Sequence, residues 1–425
     1  MQMKFRLYLI IYFISPVLLM AQKKVKPALL VYGSDIEAFT AAVQSAQSSV
    51  ATLWVLDQEQ MVPSLTTETT TVLSNANLDG GIWMDMLMKI AMSKEVNDSL
   101  AQLVKRDINP RLAMNAVEKI LSMQPNLTVM KGLSVESVER RKKDWEVTFS
   151  NKEKYAIRAI VDATEEGKLK TLVNGMEGYY KPGRISRADA HSLDLSRTTV
   201  AVGEVDGVIY SYVLNNILSQ ANQNLFSVQY LVQVARNAES IPLRAQLGQA
   251  MGAAAAYCAF FKTTTEKIDV RKLQTELITY GARLLPLHDV PTSHVHYRAI
   301  EKMYLSGLLT GKKEGSGYIF DVKDSVTFQE IKPIFNQLHS RSQLWFMDND
   351  GVYLTWKDLL SLVRFVSFRG KEMDAQIKKD WSHKLKFAGE FDENKIVNRE
   401  EFAVIVGKYA DPYVKAVNMQ GTILR

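Results

Sequence analysis

The chain is poor in the residues that build metal centres and covalent frameworks. It has one cysteine, Cys258, in 425 residues. That excludes an internal disulfide framework and any multi-cysteine metal cluster. Six histidines leave little room for a large metal site. Charge of one sign is also scarce: 52 basic against 46 acidic residues gives a net charge of +6. Spread over this length, that is no footprint of a nucleic-acid protein. After residue 21 no apolar run is long enough to span a bilayer. What is abundant is apolar content, at 47%, with 9% aromatics. A chain of this size and composition buries a sizeable core and divides into two domains or more.

The N-terminus reads as an address. Lys4 and Arg6 precede an apolar run from Leu7 to Met20, interrupted by Pro16 and followed by Ala21. This is the layout of a secretory signal peptide cleaved after Ala21. It predicts an exported protein, periplasmic or at the cell surface, with no membrane span once the signal is gone. Losing Lys4 and Arg6 takes the charge from +6 to +4.

The mature sequence begins with Ala28-Leu-Leu-Val-Tyr32, a run of strand length, followed by Gly33-Ser34-Asp35. Ile36, Phe39, Val43 and Ala46 then recur at helical spacing, and Val50 to Leu56 gives a second strand closed by Asp57. Strand, tight turn, helix, strand, acid is the layout of a mononucleotide-binding βαβ unit, with Asp57 placed to hydrogen-bond a ribose hydroxyl. The glycine pattern is incomplete. Gly33 holds the first position, Asp35 the second and Ala38 the third. The second glycine normally lets the backbone approach a pyrophosphate. A carboxylate about 4 Å from a phosphate charge would cost roughly 4 kcal/mol at an effective dielectric near 20. That is roughly a thousandfold in affinity. The layout by itself is equally that of a structural Rossmann-like unit with an empty pocket.

Several later segments share one resemblance. They are Leu78-Asp-Gly-Gly-Ile-Trp83, Ile108-Asn-Pro110 and the strand Asn126–Val129. With them go three further strands, Leu133–Arg140, Trp145–Phe149 and Tyr155–Ala163, and the run Asp162-Ala-Thr-Glu-Glu-Gly167. The last is the small-residue helix around Leu247-Gly-Gln-Ala-Met-Gly252. Together with the opening they resemble the secreted bacterial FAD-dependent oxidoreductases, relatives of the glutathione-reductase FAD-binding fold. The resemblance covers roughly residues 28–285. It implies a Rossmann-like α/β domain over 22–285 with a β-meander and a reduced substrate region at 168–240. It implies FAD as cofactor, held by Gly33, Ser34, Asp57, Ala163, Thr164, Gly248 and Gln249. It names no catalytic residue and no substrate, and no metal is expected. The departures are specific. Glu165 stands where the strand-end motif has glycine. A glycine pair facing the flavin has no counterpart in Pro63–Thr71, and the Ala-Gly-Arg motif before the closing helix is replaced near Val228–Leu231. His191 is the only histidine of the substrate region and reads as a surface residue. An NAD-dependent dehydrogenase would share the opening but not the meander or the closing helix.

A break falls near Leu284-Leu-Pro-Leu-His288. Asp289-Val-Pro, Tyr297-Arg-Ala-Ile-Glu301 and Gly307-Leu-Leu-Thr-Gly311 resemble the S-layer homology motif. Val326-Thr-Phe-Gln-Glu330, Tyr353-Leu-Thr-Trp-Lys-Asp358 and Ile396-Val-Asn-Arg-Glu-Glu401 share capping-box spacing. They predict three helix starts and an all-α helical repeat domain over 286–425. The resemblance implies an envelope polymer as partner, met by basic residues near these starts, here Lys357 and Arg399. Asp348-Asn-Asp-Gly351 mimics a calcium loop, but position 12 would be Lys357 instead of a bidentate acid. His294 and His296 would share a face only on a strand, whereas the motif puts them at a helix start.

Two functions follow from these readings. One is an exported FAD-dependent oxidoreductase. The other is a non-catalytic envelope binding or scaffold protein on a decayed flavoprotein fold.

Overall fold

The leading strand β1 (Leu29–Tyr32) is buried on both faces, which is why its sequence is uninterrupted Leu-Leu-Val-Tyr. The computed structural model describes residues 26–73, 78–174, 186–187, 193–218, 222–228, 236–314 and 317–424. From β1 the chain runs through helix α1 (Ile36–Gln47) to β2 (Thr52–Val55). Later it adds β3 (Leu127–Met130), a meander of β4 (Val135–Arg141), β5 (Asp144–Phe149) and β6 (Lys154–Ile157), and then β7 (Ala159–Asp162). The main sheet is parallel throughout, in the order Leu225–Ser227, β7, β1, β2, β3.

The two faces of this sheet are divided by strand period. Leu30, Tyr32, Leu53, Val55 and Ile160 point to one side and pack with Val138, Trp145, Val147 and Phe149 of the meander. Leu29, Val31, Trp54 and Val161 point to the other side, into the helical core. One boundary differs from the sequence reading. Tyr155–Ala163 is two strands, not one. β6 pairs antiparallel in the meander, Arg158 donates its backbone N–H to Ala28 O at 2.8 Å, and β7 joins the parallel sheet. Arg158 marks the break: β6 is largely exposed, β7 is fully buried, and pairing decides which sheet each joins.

The closing helix, Ile241–Phe260, is buried along nearly its whole length against α1. Small residues set that distance. A Cβ on Gly248 would stand 2.3 Å from Glu37 O and Thr40 Oγ1, and one on Gly252 2.4 Å from Ala41 O. The region 168–240 contributes the helix Lys168–Asn174 and a hairpin, Thr199–Val205 with Val208–Val213. His191 and Gln229–Leu231 lie outside the described residues.

In the C-terminal region six helices follow one another, Tyr297–Ser306, Phe328–Leu338, Ser342–Asp348, Trp356–Ser367, Glu372–Asp380 and Arg399–Tyr409; the first packs on the last, and the third on the second and fourth. The three predicted helix starts are real and related. Thr327, Thr355 and Asn398 each accept the backbone N–H of the residue three on. The short segments before them close a ring, with bridges Thr327 to Tyr353, Thr355 to Ile396 and Asn398 to Ser325. Inside it Leu354 N donates to Val326 O, Val397 N to Leu354 O and Val326 N to Val397 O, at 2.8–3.0 Å. All three side chains are fully buried, so three units share one apolar axis. The region is not purely helical, since Lys312–Glu314 pairs with Gly317–Ile319. Leu284, Leu285 and Leu287 at the junction are buried, and one apolar core runs through both regions. No helix among the described residues is long and apolar enough to cross a membrane.

Candidate functional site

At the carboxyl edge of the parallel sheet the chain makes the turn on which a nucleotide site would be built. Gly33 takes φ of +136°, and a Cβ there would lie 2.9 Å from the carbonyl of Ala163. Only glycine fits between two strand ends that close together. Ser34 Oγ donates to Asp57 Oδ1 at 2.7 Å and accepts the N–H of Gln58 at 2.8 Å. Lys168 Nζ donates to Asp57 Oδ2 at 3.1 Å. Thr164 Oγ1 donates to Asp162 Oδ1 at 2.6 Å and accepts the N–H of Lys168. Asp162 is fully buried, and burial lifts its carboxyl to about 6 in spite of the hydrogen bonds it accepts. Ser34, Asp57, Ala163 and Thr164 thus line a cavity of about 280 Å³, and Gly33 packs on Ala163 beside it.

Gly248 and Gln249 are not part of that cluster. Gly248 lies under α1 as a packing residue. The Gln249 amide donates to Gln44 Oε1 at 2.8 Å and accepts the N–H of Ile82 at 3.1 Å. It ties the closing helix to α1 and to the helix Gly81–Ile90.

The residues that dominate the site were not singled out from sequence. Arg244, on the closing helix, is 3% exposed. It donates to both oxygens of the fully buried Glu37, at 2.7 and 2.8 Å, and to Asp35. Arg236 reaches Glu37 at 2.8 Å and Glu165 at 3.5 Å. Asp35 Oδ1 also accepts from Ser64, whose Oγ is 2.5 Å away. Burial pushes the Asp35 carboxyl up, but Arg244 and Ser64 outweigh it and hold it below the ordinary aspartate value. The expected repulsion at this position therefore takes another form. The acid, partly exposed at the start of α1, is paired with Arg244 and Ser64. The signal for this was a lone arginine and a lone glutamate on two otherwise apolar helices, because buried charges occur in pairs.

Residues 28–239 match the family described as FAD dependent oxidoreductase. Over those residues, just under half of the chain, it is similar to that family. No curated protein matches it. Solved structures with local similarity include the bacillithiol disulfide reductase of Staphylococcus aureus, at 16% identity and a TM-score of 0.24, covering 33% of this chain and 38% of that one. The thioredoxin reductase of Lactococcus lactis has 15% identity and a TM-score of 0.21, covering 33% and 35%. The tetracycline destructase Tet(51) has 12% identity and a TM-score of 0.23, covering 32% and 39%. The chain thus spans less than two fifths of the length of these proteins.

Against this family match, the residues at the sheet edge do not fit an FAD pyrophosphate as they stand. The cations lining the cavity already hold carboxylates: Lys168 with Asp57, Arg236 with Glu37 and Glu165, Arg244 with Glu37 and Asp35. The cavity is below the roughly 300–1,000 Å³ of small-molecule sites. A dinucleotide would have to break a buried ion-pair network to enter.

A second polar cluster lies in the C-terminal region. His294 and His296 do converge, with rings 6.0 Å apart, contrary to the expectation that only a strand would allow it. The turn before Tyr297–Ser306 folds both onto Glu400 of the third unit. His296 Nδ1 is 2.6 Å and His294 Nε2 3.6 Å from Glu400 Oε1, and Lys323 Nζ donates to Glu400 Oε2 at 2.8 Å. Nδ1 of His294 accepts the backbone N–H of His296 and Nε2 of His296 meets Leu385 O. These ring nitrogens are engaged with the protein. Burial raises the Glu400 carboxyl, but bonds from His296 and Lys323 outweigh it and hold it at about 2. Of the two basic residues expected to meet a polymer, Lys357 is exposed. Arg399 is fully buried, donating to Glu330 and to Thr310 O.

Proposed function

We propose that this chain is a non-catalytic member of its family, an exported scaffold in which the dinucleotide corner has become an internal ion-pair network. The observation that carries the reading is Arg244 bound to Asp35 and Glu37 at the start of α1. Loss of bare backbone at 35 and 165 agrees with it, since each position now carries an acid. The fold would then serve to hold the three-unit helical module at the cell envelope. Export rests on the N-terminal pattern of Lys4, Arg6, the apolar run and Ala21. Attachment to an envelope polymer would rest on Lys357 alone of the two basic residues, because Arg399 is committed to the interior.

The experiment is the visible spectrum of the mature chain after incubation with excess FAD and removal of free flavin. The scaffold reading expects a colourless protein. Retained flavin absorbance would overturn it and restore the oxidoreductase reading. That second reading draws on the tight Gly33–Ala163 and Gly248–Glu37 approaches, which retain the backbone frame of the cofactor site. Under it FAD would supply hydride or electron transfer, with Ser34, Asp57 and Thr164 as its nearest protein contacts.

A further inference from the structure

A second cavity lies at the other end of the closing helix. It measures about 650 Å³ and is bounded by the end of α1, by Ala253, Ala256 and the aromatic residues after them, and by the helix Val270–Thr279. That volume is in the range of small-molecule sites. It is separated from Arg244 by some ten helical residues, or roughly 15 Å of helix.

Its walls and its charge point to a ligand of definite chemistry. Tyr257, Phe260 and Phe261 form a packed aromatic edge, with centroids 4.6 and 5.1 Å apart. Phe260 and Phe261 remain 58% and 54% exposed beside the opening. Large apolar rings left uncovered next to a cavity mark a binding surface. Two cations line the same space. Arg271 is 7% exposed, yet its guanidinium donates only to carbonyl and amide oxygens, Lys415 O, Arg197 O, Leu305 O and Gln274 Oε1, and stacks 4.9 Å over the Tyr413 ring. Its Nη2 has no hydrogen-bond partner. Burial lowers this group to about 10, in keeping with a cation that lacks a close counter-ion. Lys272 Nζ stands 5.9 Å over the Phe261 ring. The two acids of the cavity are occupied. Asp269 accepts the N–H groups of Arg271 and Lys272 at the helix start and lies 3.8 Å from the exposed Lys272 Nζ, and Glu276 accepts from Ser48 Oγ at 2.7 Å.

We propose that this cavity binds a small aromatic carboxylate, its ring against Phe260 and Phe261 and its anion in the field of Arg271 and Lys272. The site is independent of the sheet edge, so it stands whether or not the chain takes FAD.

The test uses the mature chain and three probes of equal shape: 2-naphthoate, 2-naphthalenemethanol and 2-naphthylmethylammonium, titrated by calorimetry. Naphthoate should bind one to one and at least about tenfold more tightly than the other two, as expected when a charged group gains a hydrogen-bonding partner. Lys272→Gln, at an exposed position, should weaken naphthoate up to about fivefold, the scale of a solvent-facing ion pair. Thr275→Trp, also exposed on the cavity rim, should abolish binding by filling the space, with thermal melts confirming that both variants fold. Equal affinity for the neutral or cationic probe, undiminished binding by Thr275→Trp, or no naphthoate binding to the unaltered chain would each overturn the assignment.

Discussion

Arg244 holds Asp35 and Glu37 together across more than 200 residues of sequence, at the start of α1. The relationship joins two buried helices whose backbones already touch at Gly248. One side chain therefore settles both local stability and what the sheet edge can bind.

Removing that side chain exposes its role. Arg244→Met takes two hydrogen bonds from buried Glu37, which keeps Arg236 at 2.8 Å, and should destabilise the protein by about 1–3 kcal/mol. Adding Glu37→Gln should recover a large part of the loss. Urea denaturation of both variants measures this, and a loss under about 1 kcal/mol for the single variant would contradict the network.

Opening the corner to a dinucleotide should take more than two glycines. Asp35→Gly with Glu165→Gly removes two acids but leaves Arg244 bound to Glu37. We expect a gain in FAD affinity of about tenfold or less from that pair, close to the worth of one charge-assisted contact. A clearly larger gain should follow when Glu37→Gln is added and Arg244 is released. Flavin fluorescence quenching reads both, and a full gain from the glycines alone would show that Glu37 does not hold the arginine.

The α1–closing-helix contact has no room for a methyl group. Gly248→Ala places a Cβ on the Glu37 carbonyl, and overpacking of this kind costs roughly 1–3 kcal/mol. Gly252→Ala, against Ala41, should cost a similar amount. Thermal melting checks both, and unaltered midpoints would mean that the helices sit farther apart.

Two carboxyls should leave opposite marks on the pH dependence of stability. Asp162 is raised to about 6 from an ordinary aspartate value. Its protonated form is the favoured one in the fold, so its contribution is present below about pH 4 and is lost as pH rises to about 6. Glu400 is held at about 2. Its contribution is present above about pH 4.5 and is lost as pH falls toward 2. Asp162→Asn should flatten the upper window and Glu400→Gln the lower, as measured by denaturation across pH 2–7. If neither variant alters its own window, the burial and pairing assigned to these groups are wrong.

Much of the fold was legible along the chain. The run Leu29–Tyr32, the turn at Gly33 and the acid Asp57 gave the βαβ opening, because strand burial and tight turns leave local marks. The spacing around Thr327, Thr355 and Asn398 announced three helix starts, because capping is a bond between residues three apart. What sequence order could not carry were pairings between distant elements. The split of Tyr155–Ala163 depended on which neighbours β6 and β7 found. The closing of Thr327, Thr355 and Asn398 into one ring depended on three short segments meeting at Val326, Leu354 and Val397. The sequence by itself determined that acids stand at 35 and 165 where bare backbone was expected. Only the tertiary structure decided that Asp35 is neutralised instead of repelling. The physical reason is that the sign of a buried charge's effect depends on the partner within hydrogen-bond reach, and Arg244 comes within that reach of Asp35 only when α1 and the closing helix pack.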